Sequence, residues 1–263
     1  MVRIVVLTKP VPDTASGAER LDADGRVDRA SAPTVVNGND EYAIEAALKL
    51  VEAHTGEVSL LTMAPASAPE TMRKALAMGV LRGVLVSDPV LVGSDTLSTT
   101  RVLAAALRTM EFDLVFAGVD TVDGQGGVVG AGVAALLGLP YLSYAARIEP
   151  DEAAGVVRVH RLSPTGYDVL EAPMPALVTC TQVLGEPRYP SLKGIMAARN
   201  REIVKRELAD LGVDGSAVGG AVATTALRRS RPPAERAETR VVRGPATDVA
   251  REIVAFLASR RLV

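Results

Sequence analysis

The chain has 263 residues, 48% of them hydrophobic and 23% charged, with a formal net charge of −2 and one cysteine. That length and apolar content allow a full core, and the near-neutral balance gives no general footprint for nucleic acid. A single cysteine excludes an intramolecular disulfide and fits a reducing, cytoplasmic setting, while the absence of any run of about 18 apolar residues argues against direct membrane insertion.

Met1 leads directly into Val2–Leu7, too short an apolar run for a signal peptide, so Ile4 to Leu7 reads as a buried strand. Pro10 and Pro12 close it, since neither can donate to a ladder, and a polar excursion turns through Asp24-Gly25. Asp40 is the expected N-cap of a helix whose Ala43, Ile44, Ala47, Leu48 and Val51 share one face, with Gly56 just past its end. Next come a strand over Glu57 to Met63, a helix from Pro69 to Met78 closed by Gly79, and a strand over Gly83 to Val86. Ser94 or Asp95 caps a helix through Met110, and Asp113 to Gly118 forms another strand. The stretch Asp123 to Gly130 opens a helix that stops at Gly138 and Pro140.

Strands alternating with helices predict an α/β fold with a doubly wound, mostly parallel sheet of adenine-nucleotide-binding type. After Tyr141, short runs at Arg147-Ile148, Gly155 to Leu162, Tyr167 to Glu171 and Ala176 to Cys180 predict added antiparallel strands, with Cys180 buried. Gly212 to Glu238 is rich in Gly, Ala, Ser, Pro and Arg, and Pro232-Pro233 cannot continue a helix, so this reads as a linker or extended arm. Helical spacing returns over Asp248 to Leu262, where Val249, Ile253, Phe256 and Leu257 form a stripe that this domain or another chain must cover. The predicted organisation is a domain over 1–211 and a linker with a C-terminal arm over 212–263.

Two features carry the functional expectation. Gly118 to Gly130 follows a strand and opens a helix, so backbone N–H groups there can face an anion. It lacks the Gly-Lys-Ser or Gly-Lys-Thr of a triphosphate loop and the dinucleotide fingerprint, so a monophosphate fits better than a triphosphate; the plainer alternative is a tight strand-to-helix turn that only needs glycine. Leu7, Asn37, Asn39, Met63 and the Gly118 loop fall at strand carboxyl ends or the helix start beside them, where an open α/β sheet forms its crevice. Asn37 and Asn39 offer amides to a purine or ribose, and Leu7 and Met63 can bracket a ring.

The second feature is Glu186 to Arg199, where Pro187 and Pro190 stiffen a loop that presents Tyr189 and Leu192 in a chain with no tryptophan. Such a loop orders at little entropic cost, and an aromatic beside an aliphatic residue is a frequent contact anchor. The plainer alternative is a surface turn into a basic helical run from Met196 to Leu208. Catalytic groups are sparse: His54 and His160 have no triad or zinc-type neighbours, and Asp120 and Asp123 read as cap or loop-shaping residues. No catalytic residue and no metal ligand is assigned.

Val11-Pro12-Asp13, Asn37 to Glu45, Ala75 to Gly79, Asp123-Gly124 with Gly126-Gly127, Leu139-Pro140, Pro175 to Thr179 and Glu186 to Met196 together resemble the electron-transfer flavoprotein beta subunit family along nearly the whole chain. The resemblance implies a non-catalytic carrier subunit. It would form a heterodimer with an alpha subunit that holds most of an FAD at the interface, and would itself bind a structural AMP. Leu7, Asn37, Gly38, Asn39, Asp40, Met63, Ala117, Gly118, Asp123, Gly124, Gln125, Gly126, Gly127 and Val128 then surround the nucleotide. Arg188, Tyr189, Leu192, Ile195 and Met196 dock flavin dehydrogenases, as in fatty acid oxidation, and a membrane quinone oxidoreductase accepts the electrons. The arm from about Arg228 to Val263 would embrace the alpha subunit.

Gly38 stands where many members have Pro, and Gly126-Gly127-Val128 replaces a polar set, so backbone contacts dominate the implied phosphate site. Arg161 to Gly166 occupies a hairpin that usually carries an acidic residue and a Gly-Gly pair. Two other classes share this kind of sheet. An ATP-pyrophosphatase-like enzyme needs a Ser-Gly-Gly-x-Asp-like loop after the first strand, which Leu7 to Asp13 lacks; a stand-alone adenine-nucleotide-binding regulator resembling universal stress proteins would bind ATP without flavin.

Overall fold

The computed structural model describes residues 1–17, 20–29, 31–231 and 239–263, and the chain forms two compact units, Met1–Arg228 and Arg229–Val263. The first begins with Val2–Thr8 (β1), Pro10–Pro12 (β2), Thr34–Val36 (β3), Gly38–His54 (α1), Gly56–Met63 (β4), Pro69–Ala77 (α2) and Arg82–Val86 (β5). Thr96–Leu107 (α3), Leu114–Gly118 (β6), Val129–Leu137 (α4), Tyr141–Asp151 (β7), Val156–Ser163 (β8) and Gly166–Pro173 (β9) follow. Ala176–Cys180 (β10), Leu192–Ala198 (α5) and Ile203–Arg206 (β11) complete its regular elements, and the second unit carries Ala246–Ser259 (α6).

β1 occupies the middle of a nine-stranded sheet ordered β11-β5-β4-β1-β6-β10-β7-β8-β9. Its composition explains the place: Val2, Ile4 and Val6 enter one core layer with α1 and α2, whereas Val5 and Leu7 enter the other with α3 and α4. A strand apolar on both faces suits a parallel sheet covered by helices on each side. Pairing is parallel from β11 through β7, and β8 and β9 continue antiparallel, so the α/β doubly wound expectation with added antiparallel strands describes the sheet.

Several local readings change. Ala176–Cys180 lies between β6 and β7 and is parallel to both, because β7 starts at Tyr141 and reaches the parallel part of the sheet before it turns into the hairpins. The basic run from Met196 to Leu208 is not one helix: α5 ends at Ala198, and Ile203–Arg206 adds to β5 as the edge strand, with exposed Lys205 and Arg206 in it. Asp40 is not the cap of α1. The helix starts two residues earlier behind Asn37, and the Asp40 carboxylate is drawn to the backbone N–H of Lys9 instead.

The compact unit also runs past Gly212. Val218 is buried in the α3 side of the core, the Arg101 guanidinium donates to the Ala217 carbonyl, and Thr224 donates from its N–H to Asp95 at 2.7 Å. The composition of residues 212–228 reads as linker, but they belong to this unit; Pro232-Pro233 lies outside the described residues. In the second unit, none of α6 is buried; Ile253 and Phe256 are exposed, and the Arg260 guanidinium stacks 5.3 Å from the Phe256 ring centre.

Candidate functional site

After β1 the chain builds outward through β4 and β5, then crosses back to place β6 on the opposite side of β1. The two strands' connections leave in opposite directions, and this is where an open parallel sheet opens a crevice at its carboxyl ends. Thr8, Lys9 and Gly118 stand there, and the first turn of α1 lies against them. The approach is close: a Cβ on Gly118 would sit 2.6 Å from Asp40 Oδ1 and 2.7 Å from the Asn39 carbonyl carbon. Only glycine lets α1 settle this near the strand end.

Asn37 is fully buried, and its amide binds protein rather than solvent. Nδ2 donates to the Asp120 carbonyl and to Asp40 Oδ1, each at 2.9 Å, and Oδ1 accepts from the Val122 N–H at 3.1 Å. Asn39 Nδ2 donates to Asp120 Oδ1 at 2.6 Å. Asp40 accepts from the Lys9 N–H at 2.8 Å; burial pushes its carboxyl up to about 7 against the bonds from Asn37 and Lys9 that favour the charge. The Asp123 side chain is buried between Lys9 Nζ at 2.8 Å and the Arg29 guanidinium at 2.7 Å, and these cations outweigh burial to hold its carboxyl below the usual range. Asn37, Asn39, Lys9 and Arg29 therefore fix the near side of the glycine loop through Asp120, Val122 and Asp123.

The far side stays open. Gly124 to Val128 are exposed, Gln125 and Gly127 take positive φ of 46° and 63°, and α4 begins behind Val128 with no side-chain cap. Among the described residues nothing accepts from the N–H of Gly126, Gly127 or Val128. Gly126 lies beside Thr96 in the first turn of α3, with a would-be Cβ 3.7 Å from the Thr96 hydroxyl. Consecutive unclaimed donors in a turn that leads into an uncapped helix are suited to an anion.

Of the residues expected here, Ala117 is buried in β6, Gly38 is exposed at the start of α1, Leu7 packs into the α3 side of the core, and Met63 is half-buried against that cluster at the end of β4. Sequence reasoning did not assign Lys9 and Arg29. Lys9 follows β1 at the switch point, a position that could have drawn attention to it; Arg29 reaches Asp123 from 94 residues away and left no local signal.

Glu186 to Arg199 stands apart from this crevice, against α2. Ser191 caps α5 by accepting from the Gly194 N–H at 3.0 Å, and Gly194 lies so near the end of α2 that a Cβ would meet the Ala77 carbonyl oxygen at 2.3 Å. Tyr189 is 96% exposed and Leu192 77%, with Ile195 and Met196 exposed on the following turn. Leu192, Ile195 and Met196 recur at i, i+3 and i+4 on α5, and with Tyr189 just ahead of its cap they form an apolar stripe turned to solvent. Arg188 points the other way, into carboxylates of α1.

The model of the electron transfer flavoprotein domain matches residues 24–211. A Mycobacterium leprae protein named electron transfer flavoprotein subunit beta is 38% identical across the whole of both chains. The chain belongs to the electron transfer flavoprotein beta subunit family. A Clostridium acetobutylicum subunit of the same name is 31% identical, and the Acetobacterium woodii protein named caffeyl-CoA reductase-Etf complex subunit CarD is 34% identical, again over the whole of both chains. Membership makes this an electron-transfer subunit on an α/β scaffold. Among the described residues no helix is long and apolar enough to cross a membrane, and no cluster of His, Cys, Asp or Glu has the makings of a metal site.

Proposed function

We propose that this chain is the non-catalytic beta subunit of a cytoplasmic heterodimer, binding a structural AMP while an alpha subunit holds most of the FAD. The flavin, when bound, supplies the redox chemistry; the residues of this chain bind, orient and recognise. Gly126, Gly127 and Val128 offer N–H groups to a single phosphate, reinforced by the start of α4, while Lys9 and Arg29 keep the Asp123 carboxylate neutralised beneath it. Leu7, Met63, Ala117, Gly118 and the α1 start, with Gly38 and Asn39 at its surface, frame the base and ribose. Gly124 and Gln125 shape the turn. Asn37 and Asp40 contribute by holding that frame, since their polar atoms are already bonded to protein.

Tyr189, Leu192, Ile195 and Met196 form the docking stripe for flavin dehydrogenases, whose electrons pass through the interface flavin to a membrane quinone oxidoreductase or another acceptor. The arm beyond Arg228 contacts the alpha subunit, and the stripe of α6 is the surface offered to it. The observation that carries the nucleotide assignment is the run of unclaimed N–H groups ahead of an uncapped helix at the sheet's switch point. Co-expression with the alpha subunit tests the whole reading: the complex should retain flavin and accept electrons from a flavin dehydrogenase, and a complex that assembles without flavin would refute it.

A further inference from the structure

α1 carries a buried carboxylate, Glu45, that is not among the crevice residues. Glu45 lies in the stretch of α1 that is buried all round, between Ile44 and Ala46, and its side chain is 4% exposed. A carboxylate in that position is costly unless its charge is matched and its oxygens are bonded. One residue supplies nearly all of this. Arg188 donates from its backbone N–H to Oε2 at 3.1 Å, from Nε to Oε2 at 2.8 Å and from its terminal nitrogen to Oε1 at 3.2 Å; Lys49 adds a looser contact at 3.5 Å. The other edge of the guanidinium spans to Glu52, one heptad along the same helix face, at 3.0 Å. Burial pushes the Glu45 carboxyl up, but the bonds from Arg188 outweigh it and hold the group below its ordinary value.

The backbone bond matters most. It pins the main chain at 188, so the residue immediately before the 96% exposed Tyr189 cannot shift without breaking a bond to the buried Glu45 carboxylate. Pro187 and Pro190 limit the torsions on either side. At its own start, the same helix carries the Asn37, Asn39 and Asp40 contacts that hold the glycine loop. Asp40 and Glu45 are five residues apart on one rigid rod, about 7.5 Å of rise. The docking stripe and the crevice are thus referenced to a single element.

We propose that Glu45 is a positioning residue for partner docking. It acts through Arg188, and the Arg188 guanidinium itself makes no part of the contact surface. This rests on the docking reading above and deepens it. It predicts that losing the clamp weakens partner recognition while leaving the crevice and its nucleotide intact. Charge alone would not suffice, because a lysine at 188 keeps the charge but cannot hold two carboxylates in a fork.

The test uses the heterodimer with its alpha subunit and a flavin dehydrogenase that reduces the wild type, comparing Arg188→Lys, Glu45→Gln, the double variant and Leu192→Ala. The two single variants should each raise the half-saturating dehydrogenase concentration about tenfold, with unchanged maximal rate, flavin and AMP content. The double variant should be no worse than either single one, because both remove the same clamp. Amide exchange over residues 189–198 should quicken in both singles while exchange in β1 and β6 does not. If Leu192→Ala weakens docking but Arg188→Lys and Glu45→Gln do not, or if their effects add fully, the positioning role is overturned and the docking reading stands. If Leu192→Ala has no effect, the docking reading itself falls.

Discussion

The buried amide of Asn37 bridges to the glycine loop at two points, donating to the Asp120 carbonyl at 2.9 Å and accepting from the Val122 N–H at 3.1 Å, so the residue that starts α1 also sets the shape of the turn after β6. Removing it leaves the Val122 N–H without this acceptor and takes a donor from the buried Asp40 carboxylate. Asn37→Ala is expected to lower unfolding free energy by about 2 to 4 kcal/mol, since each unpaired buried group costs roughly 1 to 3 kcal/mol. Urea unfolding of the two proteins checks this, and AMP content of the complex should fall in parallel.

Asp40 sets a pH dependence. Its carboxyl is raised from 3.8 to about 7, first because burial penalises the charge. A group with a raised folded pKa contributes stability that is fully present below its unfolded value and is lost as pH rises through the folded one. Relative to Asp40→Asn, the wild type should therefore lose stability between about pH 4 and pH 7, by up to about 4 kcal/mol. Asp123 and Glu45, whose carboxyls are lowered, lose stability in the acid direction in both proteins and drop out of the difference. Urea midpoints across that range decide the matter; a flat difference would place the Asp40 proton elsewhere.

Much of this was readable from local pattern, and what was not depends on distance. The apolar runs at Ile4 to Leu7, Glu57 to Met63 and Asp113 to Gly118 announce central strands because both of their faces need cover. Asp95 announces its helix because capping is local, and it does accept from the Ser98 N–H. Ile203–Arg206 gave no such sign: four residues within a basic run have too little periodicity to separate an edge strand from a helix, and the partner that decides is β5. Asp40 had the right residue type for a cap but a stronger use nearby, the Lys9 N–H across the crevice. Arg188 reads as a docking residue in the sequence because its buried partner, Glu45, lies 143 residues away.

Gly127 sits at φ 63° with open space around its Cα hydrogens, the nearest atom to a would-be Cβ being the Val119 carbonyl oxygen at 3.6 Å. Gly127→Val is thus strained by backbone rather than by collision, at about 1 to 2 kcal/mol. Reorienting the turn should redirect the N–H groups of 126–128, so AMP content of the purified complex should drop severalfold while the melting temperature of the chain alone changes little. Unchanged AMP content would remove these N–H groups from the site.

Leu192 is 77% exposed, so its truncation removes little buried area. Leu192→Ala should leave stability within about 0.5 kcal/mol. Electron transfer from partner dehydrogenases should fall at least tenfold at limiting concentration, as for loss of a central contact residue. Flavin content, read from the visible spectrum, should stay at the wild-type level; if flavin is lost as well, the stripe does more than dock.

Nucleotide extraction from the complex of this chain with its alpha subunit shows whether the crevice holds an inert adenylate. AMP and FAD are expected in equal amounts, with the AMP retained through gel filtration in buffer without nucleotide. A complex that holds its flavin and transfers electrons but yields no AMP, or yields FAD in twofold amount with no AMP, would contradict an inert adenylate on the Gly126-Gly127-Val128 turn.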